Sequence, residues 1–153
     1  MSNDGKWQLD VLLVEDDSND VELFTRAFIK SGRTRFFQVV RDGEEAIDYL
    51  RGQPPYEDRD AYPPPNVIIT DLKMPRTDGF RLLQWLHDHP ECAVIPTIVL
   101  SGSALEGDVR KAYSLGASAF MNKPAGFEKL VRMVEAIFAF WSLCERPEIP
   151  VAC

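Results

Sequence analysis

Apolar residues recur along this chain in two alternating rhythms. Short unbroken runs, Val11-Leu12-Leu13-Val14, Phe36–Val40, Val67-Ile68-Ile69, Ile98-Val99-Leu100 and 117–122, have the length and β-branched character of strands buried on both faces. Between them lie stretches of helical spacing. Val21, Phe24 and Phe28 follow a Ser18 N-cap and precede Gly32; Ala46, Ile47 and Leu50 follow the Asp42-Gly43 turn and end at Gly52. Asp78 caps a third helix after the Lys73-Met74-Pro75 turn, and residues 105–115 form a fourth that ends at Gly116, with Ser103 as its cap. Phe127, Leu130, Val131, Val134, Ile137, Phe138 and Trp141 trace a fifth, long and amphipathic. Five strands alternating with five helices predict an α/β fold, a doubly wound five-stranded parallel sheet with helices on both faces.

One segment breaks the rhythm. Residues 52–65 contain Pro54, Pro55, Pro63, Pro64 and Pro65 with the polar run Glu57-Asp58-Arg59-Asp60, and read as an extended, solvated Pro-rich loop. Residues 1–8 read as an N-terminal arm and 146–153 as a C-terminal tail. No second domain or internal repeat is visible, so 1–153 is taken as a single domain.

Composition narrows the function classes. Seventeen Lys and Arg against 24 Asp and Glu leave a net charge of −7, which opposes a nucleic-acid footprint. No apolar run is long enough for a membrane span, and the first residues carry no signal-peptide pattern. A cytoplasmic protein is the expectation, with no nucleic-acid or membrane partner. Cys92, Cys144 and Cys153 are irregularly spaced and form no C-x-x-C motif, so they read as free thiols.

The chemistry lies where the apolar runs stop. The first ends in Glu15-Asp16-Asp17, the third in Asp71, the fourth in Ser101-Gly102-Ser103 and the fifth in Lys123-Pro124. In an open parallel sheet the carboxyl ends of the strands line the ligand crevice. Carboxylates gathered there repel one another unless a cation compensates, and oxygen ligands alone select a hard ion such as Mg²⁺. A carboxylate can accept a phosphoryl group, and that transfer needs a metal on one side and a cationic side chain on another. Lys123 suits the second role, and a cis bond to Pro124 would turn it inward. Ser101 offers a hydroxyl to a phosphoryl oxygen. Asp17 and Asp20 read instead as solvated residues of a helix start.

Four runs, Val-Leu-Leu-Val-Glu-Asp-Asp, Thr-Asp-Leu-Lys-Met-Pro-Arg-Thr-Asp-Gly, Val-Leu-Ser-Gly and Phe-Met-Asn-Lys-Pro, resemble those of bacterial two-component response regulator receiver domains across residues 9–143. The resemblance implies the flavodoxin-like strand order 2-1-3-4-5. It also implies Asp71 as phosphoacceptor, with Mg²⁺ held by Glu15, Asp16, Asp71 and the Lys73 carbonyl. Ser101, Gly102 and Lys123 would bind the phosphoryl group, and Ser101 with Phe120 would form the switch. Many relatives have threonine and tyrosine at those two switch positions; phenylalanine lacks the phenol. The 52–65 loop and the Phe138-Ala139-Phe140-Trp141 segment look like those of stand-alone regulators partnered with phytochrome-type or hybrid sensor histidine kinases. The implied function is to take a phosphoryl group from such a kinase and signal to a downstream protein.

Two other classes compete. An aspartyl phosphohydrolase of the haloacid dehalogenase type needs Asp-x-Asp, and here Lys73 stands two places after Asp71. A phosphorylation-independent interaction module of the same fold would need none of the site residues, yet all are present. Phe138, Phe140 and Trp141 cannot all face one side of the last helix, so a homodimer through this region is a further expectation.

Overall fold

The computed structural model describes residues 8–73, 78–102 and 105–153. Ten elements alternate through them: β1 (Leu9–Val14), α1 (Ser18–Ser31), β2 (Thr34–Val40), α2 (Gly43–Arg51), β3 (Val67–Thr70), α3 (Gly79–Asp88), β4 (Thr97–Ser101), α4 (Glu106–Ser114), β5 (Ala119–Asn122) and α5 (Phe127–Ser142). The strands form one parallel sheet in the order β2-β1-β3-β4-β5. This is the predicted doubly wound, flavodoxin-like arrangement.

The unbroken apolar runs follow from two-sided burial. Along β1, Leu12 and Val14 pack with Ile68 against α2 and α3, through Ala46, Ile47, Leu50, Leu82, Trp85 and Leu86. Leu9, Val11 and Leu13 point to the other face and meet Phe24 and Phe28 of α1 and Leu130, Val134 and Ile137 of α5. A smaller cluster of Leu72, Leu83, Val99, Ala112 and Ala117, with Phe80, Leu115 and Phe120 against it, holds α4 beside β4 and β5.

Local chemistry moves several boundaries. Asp17, rather than Ser18, caps α1: its side chain accepts from Asn19 N and Asp20 N, and Gly32 closes the helix at φ 67°. Asp42 and Asp78 cap α2 and α3. β4 starts at Thr97, after Pro96, whose ring nitrogen has no hydrogen to donate to the ladder. The Met74-Pro75 turn, the Ser103 cap and the arm up to Trp7 lie outside the described residues.

Three expectations are corrected. The 52–65 loop is not simply solvated: Tyr56 is buried in the α2/α3 core cluster, where its ring lies tilted against Tyr49 and meets Tyr62 edge to face. Its hydroxyl donates to Glu45 Oε1 (2.7 Å), and that of Tyr49 donates to the Pro63 carbonyl (2.8 Å). Cys92 and Cys153 are not free thiols but a disulfide, with Cα atoms 6.0 Å apart and a sequence separation of 61; Cys144 is free. Spacing did not reveal this pair, because it forms only when the tail folds back over the α2/α3 side. Lastly, the cis bond among the described residues is Pro54–Pro55, not Lys123–Pro124. Lys123 reaches the crevice without the cis turn, so the ordinary trans preference of an X-Pro bond prevails.

Among the described residues, no helix is long and apolar enough to cross a membrane. Phe138 and Trp141 pack against the α1/α5 core cluster, which leaves Phe140 (61% exposed) and Leu143 (87%) as the apolar residues that α5 presents outward at its end.

Candidate functional site: a carboxylate–lysine crevice

The ladder bonds carry each strand one residue past its end and set the crevice. Glu15 N donates to Val40 O (3.0 Å), Asp71 N to Val14 O (3.1 Å) and Lys123 N to Ser101 O (2.9 Å). Three residues far apart in sequence therefore stand side by side at the carboxyl edge of the sheet. Lys123 Nζ donates to Glu15 Oε1 (3.0 Å), Asp71 Oδ2 (2.9 Å) and Asp20 Oδ2 (2.8 Å). The lysine side chain is 22% exposed, that of Asp71 13% and that of Glu15 1%.

Asp71 is oriented from both sides. Its Oδ2 faces the lysine, and its Oδ1 accepts from Leu72 N (2.7 Å) and, at 3.5 Å, from Lys73 N. Asp16 is half-buried at the rim, and its carbonyl accepts a long bond from Arg41 Nη1 (3.4 Å). Ser101 is buried at the end of β4, with exposed Gly102 beside it and open space where a Cβ would stand. Phe120, opposite Val99 in the ladder, packs half-buried on the Leu72–Leu83–Ala112 cluster. Its N–H donates to the Tyr113 hydroxyl (3.1 Å), so a phenol stands beside this position although its own side chain carries none.

Two residues escaped the sequence reading. Asp20 reads in the sequence as a solvated residue of the first helical turn, yet it is one of the three carboxylates on Lys123. Gly79 opens α3 against the chain at Asp71: a Cβ there would lie 2.3 Å from the Asp71 carbonyl oxygen. Its signal was present as the last residue of the Thr-Asp-Gly run, but nothing in the sequence said which backbone it would meet.

Electrostatics sharpen the picture. Burial, reinforced by the hydrogen bond to Asp20, pushes the Glu15 carboxyl up to about 8, against the pull of Lys123. Burial also acts upward on Asp20, but its bonds with Lys123 and Glu15 outweigh that and hold it below the usual carboxylate range. Burial alone would lower Lys123; its bonds to Asp20, Asp71 and Glu15 prevail and keep it charged.

Among the described residues, Glu15 Oε2 is buried without a hydrogen-bond partner, a costly state for a carboxylate and one that a cation would relieve. Among the described residues no three His, Cys, Asp or Glu side chains converge as a ready cage. A hard ion that takes one or two carboxylates and completes its shell with water and phosphate needs no such cage, so the donor set fits Mg²⁺.

The family model for the response regulator receiver domain matches residues 11–135. A probable methanogenesis regulatory protein, FilR2, of Methanothrix harundinacea is 35% identical over 86% of this chain and 82% of its own length. Response regulator Rcp1 of Synechocystis is 33% identical over 92% of this chain and 94% of its own. Among solved structures, the phosphorylated cyanobacterial phytochrome response regulator RcpA superposes with a TM-score of 0.82 at 32% identity, covering 92% of this chain and 99% of that one. The Mn²⁺-bound form of Rcp1 gives 0.79 at 32% identity with the same coverage. The chain belongs to the response regulator receiver domains and is closely related to those associated with phytochromes; it is a phosphoacceptor signalling protein that works through phosphorylation-dependent protein contacts rather than an enzyme that turns over an external substrate.

Proposed function

We propose that Asp71 accepts the phosphoryl group from the phosphohistidine of a sensor histidine kinase of phytochrome-like or hybrid type. The observation that carries this reading is the placement of Asp71 Oδ2 at 2.9 Å from a lysine that is itself held by Glu15 and Asp20. A carboxylate oxygen of Asp71 attacks phosphorus in line with the departing histidine nitrogen; the P–N bond breaks as the O–P bond forms. Lys123 stands ready to exchange a carboxylate for a phosphoryl oxygen, and Ser101 and Gly102 offer a hydroxyl and an unobstructed backbone to the others.

Mg²⁺ suits the metal position, with Glu15, Asp16, Asp71 and the Lys73 carbonyl as holders, and when bound it neutralises charge on the transferring group. Loss of Lys123 from its carboxylates is the local event that a switch through Ser101 and Phe120 would read. Residues 1–153 act on this reading as one receiver domain, in the cytoplasm, with a downstream protein as target. Exposed Phe140 and Leu143 suit a partner face, including that of a second copy of the chain; a monomer mass independent of concentration, with and without phosphorylation, would remove the homodimer.

The test is intact mass after incubation with acetyl phosphate, with and without Mg²⁺, for the wild type and Asp71→Asn. One phosphoryl adduct, dependent on Mg²⁺ and lost in the variant, is the expected result. An adduct that persists in Asp71→Asn overturns the assignment; no adduct in the wild type, even when quenched at the shortest times, favours a phosphorylation-independent interaction module.

A further inference from the structure

The last eleven residues cross the molecule. α5 belongs to the α1 side of the sheet, whereas Ile149 and Cys153 pack against the core cluster of the opposite, α2/α3 side. Between them, Arg146 and Pro147 pass the amino ends of β1 and β3, sharing a concave surface with Asp10, Pro63 and Asn66. Beyond that crossing the strap is fastened by few groups. Arg59 Nε donates to Val151 O (2.9 Å), while its Nη1 donates to Tyr49 O (2.8 Å) and Tyr56 O (3.1 Å), so one guanidinium clasps strap, α2 and the 52–65 loop together. Cys153 N donates to Leu50 O (3.1 Å), and the Cys92–Cys153 disulfide ends the path. Its Cα separation of 6.0 Å lies within the span a disulfide bridges without backbone movement.

We infer that Cys92–Cys153 is a thiol-exchange site at which a dithiol reductant unlatches the C-terminal strap from the 52–65 loop and the α2/α3 side. The two sulfurs differ in access: Cys92 is wholly buried in the core cluster and Cys153 is only half-buried. A reductant thiolate therefore attacks Cys153 Sγ. The S–S bond breaks, Cys92 leaves as a thiolate and takes up a proton, and a mixed disulfide forms on Cys153. The second thiol of the reductant displaces Cys153 and closes the reductant's own disulfide, so two electrons pass from the dithiol to the protein disulfide.

Among the described residues, what then holds the strap past Pro147 is the Arg59–Val151 and Cys153–Leu50 hydrogen bonds and the packing of half-buried Ile149, Pro150 and Cys153, around a segment with no helix or strand of its own. Such a segment belongs to the low-stability end of a structure and opens locally without global unfolding. Its release also removes the Arg59–Val151 bond and with it one support of the Tyr56–Tyr62 loop. The latch lies at the amino end of the sheet, away from Asp71, and the inference does not rest on the phosphoacceptor assignment.

Alkylation and hydrogen exchange test it together on the full chain. Air-oxidised protein, unfolded without reductant, should take one alkyl group, at Cys144, and reduced protein three. Cleavage after glutamate separates Cys144 from Cys153, because Glu145 and Glu148 lie between them, and should give a cross-linked Cys92/Cys153 peptide. Addition of dithiothreitol to the folded protein should cause loss of amide protection at 149–153 and around Tyr56–Tyr62, with no change in β1 or β3. C153S should show the same loss in oxidising buffer and no further response to the dithiol; because position 153 is only half-buried, this variant leaves the core intact. Three free thiols in the oxidised protein, a bridge that includes Cys144, or unchanged exchange at 149–153 after reduction would each overturn the inference.

Discussion

β1 carries a buried carboxylate at each end of the strand, and the two are handled in opposite ways. At the amino end, Asp10 is fully engaged: Arg35 brings Nε to Oδ1 (3.0 Å) and Nη2 to Oδ2, in the two-pronged geometry that suits a guanidinium. Asn66 closes the same corner, accepting from Asp10 N (2.9 Å) and donating to Gln8 O (2.7 Å). At the carboxyl end, Glu15 is deeper still, yet one oxygen is shared with a lysine that serves two other carboxylates and the other has no partner among the described residues. A carboxylate with both oxygens held by one guanidinium locks a strand end. A carboxylate left short of positive charge keeps a place for something that arrives.

The contrast can be broken from either end. Removing the lysine should have the largest effect: Lys123→Ala should slow phosphorylation of Asp71 by about 10²–10³-fold, the usual loss when a preorganised charge at a reacting oxygen is deleted. Quench-flow intact mass with acetyl phosphate would measure it. Arg35→Leu should act on stability alone. It strands Asp10, and since Arg35 is itself two-thirds exposed the cost should be about 2–3 kcal/mol, at or below the low end for fully buried pairs. Urea unfolding, with phosphorylation rate as the control, would separate the two kinds of end.

Gly79→Ala should show both effects at smaller size. The methyl group would collide with the Asp71 carbonyl oxygen, costing about 1–3 kcal/mol of overpacking and displacing the acceptor residue; the same two assays apply. Smallest in stability is Glu15→Gln, because an amide has no charge to strip of water. Glu15 titrates near 8 in the folded protein against 4.5 ordinarily. Its contribution to stability is therefore whole below about pH 4.5 and lost as pH rises through about 8. Metal-free wild type should lose stability steadily across that window through this group, and Glu15→Gln should flatten the slope while it weakens Mg²⁺ binding. A pH series of urea midpoints would show it.

Most of the frame was legible because its physics is local. The three inner strands β1, β3 and β4 are buried along their whole length, so each reads as an apolar run, and the residue at the end of each run falls at the crevice whatever the helices do. Glu15, Asp71, Ser101 and Lys123 were found by that rule. Asp20 was not, because an acidic residue in a first helical turn is the ordinary dipole pattern; only a lysine from 103 positions away makes it part of the site. Tyr56 was hidden among prolines and charges that mark a solvated loop, although Tyr49 and Tyr62 wait to receive it. Cys153 depended on the path of a segment with no periodicity at all. For Asp20 and Cys153 the missing information was a contact between distant segments; for Tyr56 it was the fold of the loop itself.

The most direct test of the difference between the two carboxylates is the proton balance of Mg²⁺ binding. Calorimetric titration of the metal-free protein at pH 7, in two buffers of different ionisation enthalpy, counts the protons released per ion bound. A carboxyl held near 8 by burial must ionise to receive the cation, so the account predicts release of about one proton per Mg²⁺ from the wild type and none from Glu15→Gln. Binding whose heat is the same in both buffers, or an equal proton release from Glu15→Gln, would contradict it.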